Sequence, residues 1–254
     1  MPGCHPGSFH LLQTGSGGNF TLNVDFHVHT RLSMDGVNRP REMVKYAKKA
    51  GLDAIAITDH NHLFPWQEAV RLTREFKIIV IPGIEGGHIA LEKHWIGIGI
   101  RNSPVLRTIG DTIRLIHRES GVAIAPHPFT RLGYGNYETL GFGVVESLNG
   151  TEPGASKKVS HIHGISEVAG SDAHTALMLG FCWTLVDACD SVDDILEAVR
   201  KGLCSPQGVR IPVSYCLHHY GAYITYRILG RPFNVLRTAC RIGDRVNSTG
   251  EGVL

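Results

Sequence analysis

Seven short apolar runs, LNVDFHVH, LDAIAIT, KIIVIPGI, HWIGIGI, GVAIAP, GFGVVESL and FCWTLVD, recur along most of the chain. Between them lie stretches of helical spacing at 40–50, 66–75, 105–119 and 192–201. Strands joined through helices pair side by side in the same direction rather than as hairpins, so this alternation predicts an α/β fold with a mainly parallel sheet or barrel covered by helices. The punctuation agrees. Asn38 and Arg39 lead into Pro40 at a helix start, and Gly51 and Gly121 close helices before the next strand. Seven strands over roughly 190 residues suit one barrel-like domain.

Residues 1–20, rich in Gly, Ser and Pro, read as a flexible leader, residues 21–204 as the β/α domain, and residues 205–254 as a basic helical extension. In the extension Val213, Leu217, Tyr220, Ile224 and Ile228 recur at helical spacing, Gly230 and Pro232 stop that helix, and Asn234 can cap a second one. Such a stripe is expected to pack on the barrel or on a second subunit, making a homo-oligomer through the C-terminal helices. The extension holds six arginines, no lysine and two acids. The competing reading is a nucleic-acid grip, weakened by the absence of interleaved exposed aromatics.

No apolar run approaches the roughly 20 residues of a membrane-spanning helix, and MPGCHPGSFH lacks the features of a signal peptide, so a soluble, cytoplasmic protein without a membrane partner is expected. Six scattered cysteines without a C-x-x-C pair fit reduced thiols. The histidines, fifteen of them with no His-rich tract, call for an explanation.

Their positions supply one. His27 and His29 are two apart on a predicted strand and share a face with Asp25. In a parallel β/α domain the carboxyl ends of the strands open on the ligand site. Later strands bring Asp59 and His60, Glu85, His94, His127, and then Asp172 and His174 to their ends. Singly, each polar residue reads as well as a turn cap. Together, imidazoles and carboxylates without thiolate describe a site for several divalent ions, zinc, manganese or iron. Asp25, Asp59 and Asn61 are expected to orient the ligand side chains through hydrogen bonds.

In order and spacing, DFHVHTRLSMDG, AIAITDHN, GIEGG, KHWIGIGI, IAPHPF, VVESLNG, GSDAH, GFCWTLVD and DDILEAVRKG resemble the polymerase and histidinol phosphatase (PHP) family of metal-dependent phosphoesterases, over residues 23–202. The resemblance implies a distorted seven-stranded β/α barrel and a trinuclear metal site. It implies that His27, His29, Glu85 and Asp172 hold one metal, that Glu85 bridges to a second held by His94 and His127, and that Asp35, His60 and His174 hold a third. Asp35 stands where some members have histidine, which favours a harder or weaker third metal. His88 competes for the role of His94, which is preferred because it heads an apolar strand while His88 follows a Gly-Gly turn.

Two bridged cations can hold a hydroxide, since coordination lowers the pKa of bound water towards about 7, and can neutralise phosphoryl oxygens during in-line attack. Hydrolysis of a phosphate ester by two to three divalent ions is the expected reaction. Arg131, Lys93, Lys157 and Lys158 are candidates for the phosphate oxygens, Arg131 first because a rigid guanidinium fork suits bidentate binding. Tyr134, Asn136 and Tyr137, on the loop after His127, are candidates for a wall that stacks on and reads a base, pointing to a small nucleotide-like phosphomonoester. The alternatives are an exonuclease on short single-stranded RNA or DNA, a histidinol-phosphate-type phosphatase, a metal-dependent amide hydrolase and a non-catalytic RNA-binding scaffold.

Overall fold

A computed structural model describes residues 20–87, 92–104, 108–151, 164–188 and 190–225. The strands are β1 (Phe20–Val28), β2 (Ala54–Ile57), β3 (Ile79–Gly86), β4 (Trp95–Ile98), β5 (Val122–Ala125), β6 (Gly143–Asn149), β7 (Ser166–Gly170), β8 (Cys182–Ala188) and β9 (Cys204–Gly208). The helices are α1 (Pro40–Lys49), α2 (Trp66–Phe76), α3 (Ile109–Arg118), the short α4 (Tyr137–Leu140), α5 (Val192–Arg200) and α6 (Val213–Tyr223). Local chemistry starts them as expected. Pro40 occupies the first turn of α1, and Glu42 accepts from the Arg39 N–H at 2.8 Å. Thr108 and Ser191 cap α3 and α5 by accepting from the Asp111 and Asp194 amides.

The strands form one sheet in the order β7-β6-β5-β4-β3-β2-β1-β8-β9. Pairing is parallel for β1–β2–β3 and β5–β6–β7, antiparallel around β4, and antiparallel for β1–β8 and β8–β9. The sheet curls until it nearly closes: the Asp172 N–H donates to the His27 carbonyl and the His29 N–H to the Ala173 carbonyl, both at 2.9 Å, with Val28 and Ala173 bridged in parallel. Apolar residues of α5 (Ile195, Leu196, Val199) share one buried cluster with Val24, Phe26, Ala56, Ile81, Ile124 and Val168. The residues of α1 and α2 pack on Ile55, Ile57 and Val80, and those of α3 on Ala123 and Val145. This leaves the carboxyl ends of the parallel strands free for polar side chains.

Among the described residues the sheet holds nine strands rather than the expected seven. The additions are β7, whose SEVAG run is broken by a polar Glu167, and β9, which contains Pro206. Proline is tolerated on a sheet margin, where its missing N–H costs no ladder bond, and here Pro206 lies opposite Thr184 on the last strand. That strand also carries the sheet across the expected 204/205 boundary. On α6 the predicted stripe is exposed rather than packed on the barrel, with Val213, Leu217, Tyr220 and Ile224 exposed at 55, 65, 62 and 47%. Its buried positions are His219 and Ala222. Ile228 and the expected second helix lie outside the described residues, as does the leader up to residue 19. None of the described helices is long and apolar enough to cross a membrane.

Candidate metal centre

The ends of six strands on the open side contribute. His27 lies near the end of β1, above a register shift between Asp25 and Val28, the kind of irregularity that re-aims a side chain. His29 and Asp35 follow β1, His60 follows β2, Glu85 ends β3, and His127 follows β5. Because β4 runs antiparallel to β3, the residue that precedes it, His94, arrives on the same side as Glu85. Asp172 and His174 follow β7. His127 and Asp172 have φ of 29° and 54°. Non-glycine residues take that region at a cost, and such strain collects at functional sites.

All nine side chains converge. Glu85 turns its two oxygens to different partners: Oε1 lies 3.1 Å from His94 Nδ1 and 3.4 Å from His127 Nε2. Oε2 lies 3.4, 3.2 and 3.1 Å from His27 Nε2, His29 Nε2 and His60 Nδ1. Asp172 Oδ1 is 3.4 and 3.3 Å from the same His27 and His29 nitrogens. Asp35 Oδ2 is 3.0 Å from His174 Nε2 and 3.6 Å from His60 Nε2.

The residues fit divalent ions. His27 Nδ1 faces Glu146 Oε1 at 3.0 Å, His29 Nδ1 faces Ser33 Oγ at 3.1 Å, and His127 Nδ1 faces Thr130 Oγ1 at 3.1 Å. With the outer nitrogens donating, the inner Nε2 atoms carry lone pairs. Yet His27 Nε2 and His29 Nε2 lie 3.0 Å apart, and two lone pairs need a positive charge between them. Asp35 Oδ1, His60 Nδ1 and Glu85 Oε1 are buried without a hydrogen bond among the described residues, a costly state unless a cation satisfies them. Among the described residues, three groups have ligand atoms within 4.8 Å of one another: His29, Asp35, His60 and His174; His27, His29 and Glu85; and His60, Glu85 and His94.

Without metal, protons take the cations' place. Burial opposes a charge on His29, but hydrogen bonds to Asp172 and Glu85 outweigh it and push its pKa up to about 10. Burial likewise works against ionised Glu85 and Asp172, and the surrounding histidines still hold both well below the usual carboxylate range. Burial lowers His60 to about 4.

Comparison with known proteins agrees with this centre. The PHP domain model matches residues 25–139, and the PHP-associated model matches residues 154–204. An uncharacterized protein of Methanocaldococcus jannaschii is 34% identical over 120 residues, which cover 43% of this chain and 69% of that protein. The chain belongs to the PHP family. Among solved structures, its fold is similar to a two-domain protein from Bacteroides vulgatus containing a predicted PHP-like metal-dependent phosphoesterase. That match has a TM-score of 0.60 at 20% identity and covers 76% of this chain and 66% of the other. It is also similar to Endonuclease Q, solved with a 27-mer duplex bearing an abasic lesion, with a TM-score of 0.51 at 15% identity over 74% of this chain and 58% of that one.

In this PHP chain the expected orienting residues act on backbone. Asp59 accepts from the Thr30 N–H, the Thr30 hydroxyl and the Ser33 N–H at 2.6, 2.8 and 3.1 Å, shaping the loop that sets Ser33 against His29. Asp25 accepts from the His27 and Ser171 amides, and burial pushes its pKa up to about 7. Asn61 donates to the Gly87 carbonyl at 2.9 Å. Ligand rings are held instead by Ser33, Thr130 and Glu146, the last of which also accepts from the His127 N–H at 2.8 Å and from Asn149 Nδ2 at 2.9 Å. An acid inside the apolar run of β6 was the available signal for Glu146. His88, Lys157 and Lys158 lie outside the described residues.

Above the centre of this PHP domain lies a cavity of about 850 Å³ lined by Asp35, His60, Glu85, His94, His127, Asp172 and His174 together with Arg131 and Arg210. Lys93 is turned elsewhere, donating to the Gly133 carbonyl and lying over the Tyr134 ring. The three residues expected to form the substrate wall are not among the lining: Tyr137 is 1% exposed within the apolar cluster around α3, and Tyr134 packs on Phe142 with ring centroids 5.7 Å apart. Asn136 precedes the short α4. The rings that do line the cavity, His219, Tyr220 and Tyr223, come from α6. Cys216, His219, Tyr220 and Tyr223 have helical i, i+3, i+4, i+7 spacing, a legible signal that the apolar stripe masked.

Proposed function

We propose that this PHP-family phosphoesterase hydrolyses a small nucleotide-like phosphomonoester with two to three divalent ions of manganese, zinc or iron. The observation that carries the reading is the orientation of Glu85, whose two oxygens address two separate histidine sets. In this assignment His27, His29, Glu85 and Asp172 serve one ion, Glu85, His94 and His127 a second, and Asp35, His60 and His174 a third. When bound, the ions supply an activated water at neutral pH and positive charge for the phosphoryl oxygens. The chain's own groups do the rest. Glu146, Ser33 and Thr130 hold ligand tautomers, and Arg131 offers a fork to a phosphate oxygen from the cavity rim.

A cavity of about 850 Å³ lies within the roughly 300–1,000 Å³ of small-ligand sites, which favours a small substrate over a polymer. The likeness to Endonuclease Q, solved on a DNA duplex, supports nucleic acid as the alternative substrate class; the alternative reading is an exonuclease on short single-stranded RNA or DNA. The free thiols Cys182, Cys204 and Cys216 suit a reducing compartment, the cytoplasm. A panel of nucleoside monophosphates, histidinol phosphate, sugar phosphates and short single-stranded RNA, ranked by kcat/KM on metal-loaded protein, tests the reading. Nucleoside monophosphates are expected to lead. Sugar or histidinol phosphates ahead by tenfold would overturn the substrate class, and RNA ahead would establish the nuclease.

A further inference from the structure

The helix after the sheet does more than cover the barrel. His219 is 9% exposed, its ring lies 5.2 Å from that of His174, and its Nδ1 is buried without a hydrogen bond among the described residues. His219 is also among the residues that line the cavity. The rings continue outward. His29 stacks on His174 at 4.2 Å, His174 meets His219, and His219 meets Tyr220 at 5.3 Å. Tyr220 lines the cavity while 62% exposed, so it has accessible surface at the cavity. A stair of rings thus climbs from the metal centre to the mouth.

We propose that α6 selects the leaving group of the substrate, with Tyr220 stacking on a flat, base-sized ring at the cavity mouth beside His219. This rests on the phosphoesterase reading above and assigns its specificity to the C-terminal extension. Stacking tolerates any planar heterocycle, because every base offers a π face, so the class recognised is the nucleotide rather than one particular base. The scissile phosphate stays with the metal centre, and the two parts of the site are separable.

The test uses the full metal-loaded chain, with adenosine 5′-monophosphate against glycerol 1-phosphate, which has no ring. Tyr220→Ala is expected to raise KM for the nucleotide about tenfold or more while leaving its kcat, and kcat/KM for glycerol phosphate, within twofold. Tyr220→Phe keeps the ring and should restore the nucleotide KM. Leu217→Ala, on the outer side of the helix and away from the cavity, should change neither and controls for loosening of α6. Equal losses on both substrates, or none on either, would overturn the inference. If wild-type protein releases phosphate from no ester, the phosphoesterase reading has failed. Calorimetric binding then decides the inference alone: a tenfold weaker nucleotide Kd in Tyr220→Ala, with inorganic phosphate unchanged, supports it, and an unchanged or absent nucleotide Kd overturns it.

Discussion

Changing Glu146 to Gln keeps the shape of a buried side chain and removes its charge, which makes it a probe of how the centre fixes its ligands. Oε2 accepts from the His127 amide and the Asn149 side chain. Those donors hold the glutamine carbonyl oxygen in that place, so the new NH₂ faces His27 Nδ1, 3.0 Å away in the native protein. Two donors cannot point at each other. His27 must shift its proton to Nε2, the atom that lies 3.4 Å from both Glu85 and Asp172, and it ceases to be a ligand unless the Nδ1 hydrogen bond is given up. A hydrogen bond to a charged group contributes about 1.5–3 kcal/mol. The variant should therefore bind metal roughly 10- to 150-fold more weakly, in line with the roughly 10- to 100-fold effects of partners behind metal-ligating histidines. Competition with a chromophoric chelator reads the affinity, and ¹⁵N NMR of the imidazoles reads the tautomer. Affinity within twofold of wild type, with the His27 tautomer unchanged, would refute the reasoning.

Glu85→Gln should cost more than tenfold in turnover, above about 1.4 kcal/mol, because one carboxylate serves two histidine sets; a variant keeping more than a tenth of wild-type kcat contradicts the bridging role. Metal uptake should release protons. In the metal-free chain His29, with its pKa raised to about 10, is protonated at neutral pH and must lose that proton to bind, so affinity should rise with pH from 6 towards 9, and calorimetric heats should vary with the buffer's ionisation enthalpy. Buffer-independent heats would contradict it. Gly170→Ala should unfold at lower denaturant, by about 1–3 kcal/mol, since the added Cβ would lie 2.4 Å from both Glu146 Oε1 and His27 Cβ; an unchanged midpoint would show that the strand end yields more readily than the packing implies.

The barrel and the nine converging side chains were legible because both rest on local pattern. Strand and helix periods differ, and a histidine or acid at the end of an apolar run has one place to go in a parallel sheet. What escaped depends on tertiary neighbours. Glu146 reads as a lone acid within an apolar strand until the fold brings His27 beside it. Pro206 reads as a break until β8 supplies an edge to pair with. On α6, hydrophobicity pointed to Val213, Leu217 and Ile224 as the packed side, yet the barrel rim below is polar. The helix therefore turns His219 inward and leaves Leu217 and Ile224 exposed. The loop after His127 offered Tyr134 and Tyr137 as a wall, but aromatic rings beside Phe129 and Phe142 bury against one another.

Reconstitution followed by chelation tests the central claim most directly. Elemental analysis of the protein loaded with manganese, zinc or iron, and freed of loose ions by gel filtration, should find two to three ions per chain. Exhaustive chelation should abolish phosphate release, and adding the metal back should restore it. Fewer than one ion per chain, with activity intact after chelation, would contradict a metal centre built from His27, His29, Glu85 and their neighbours.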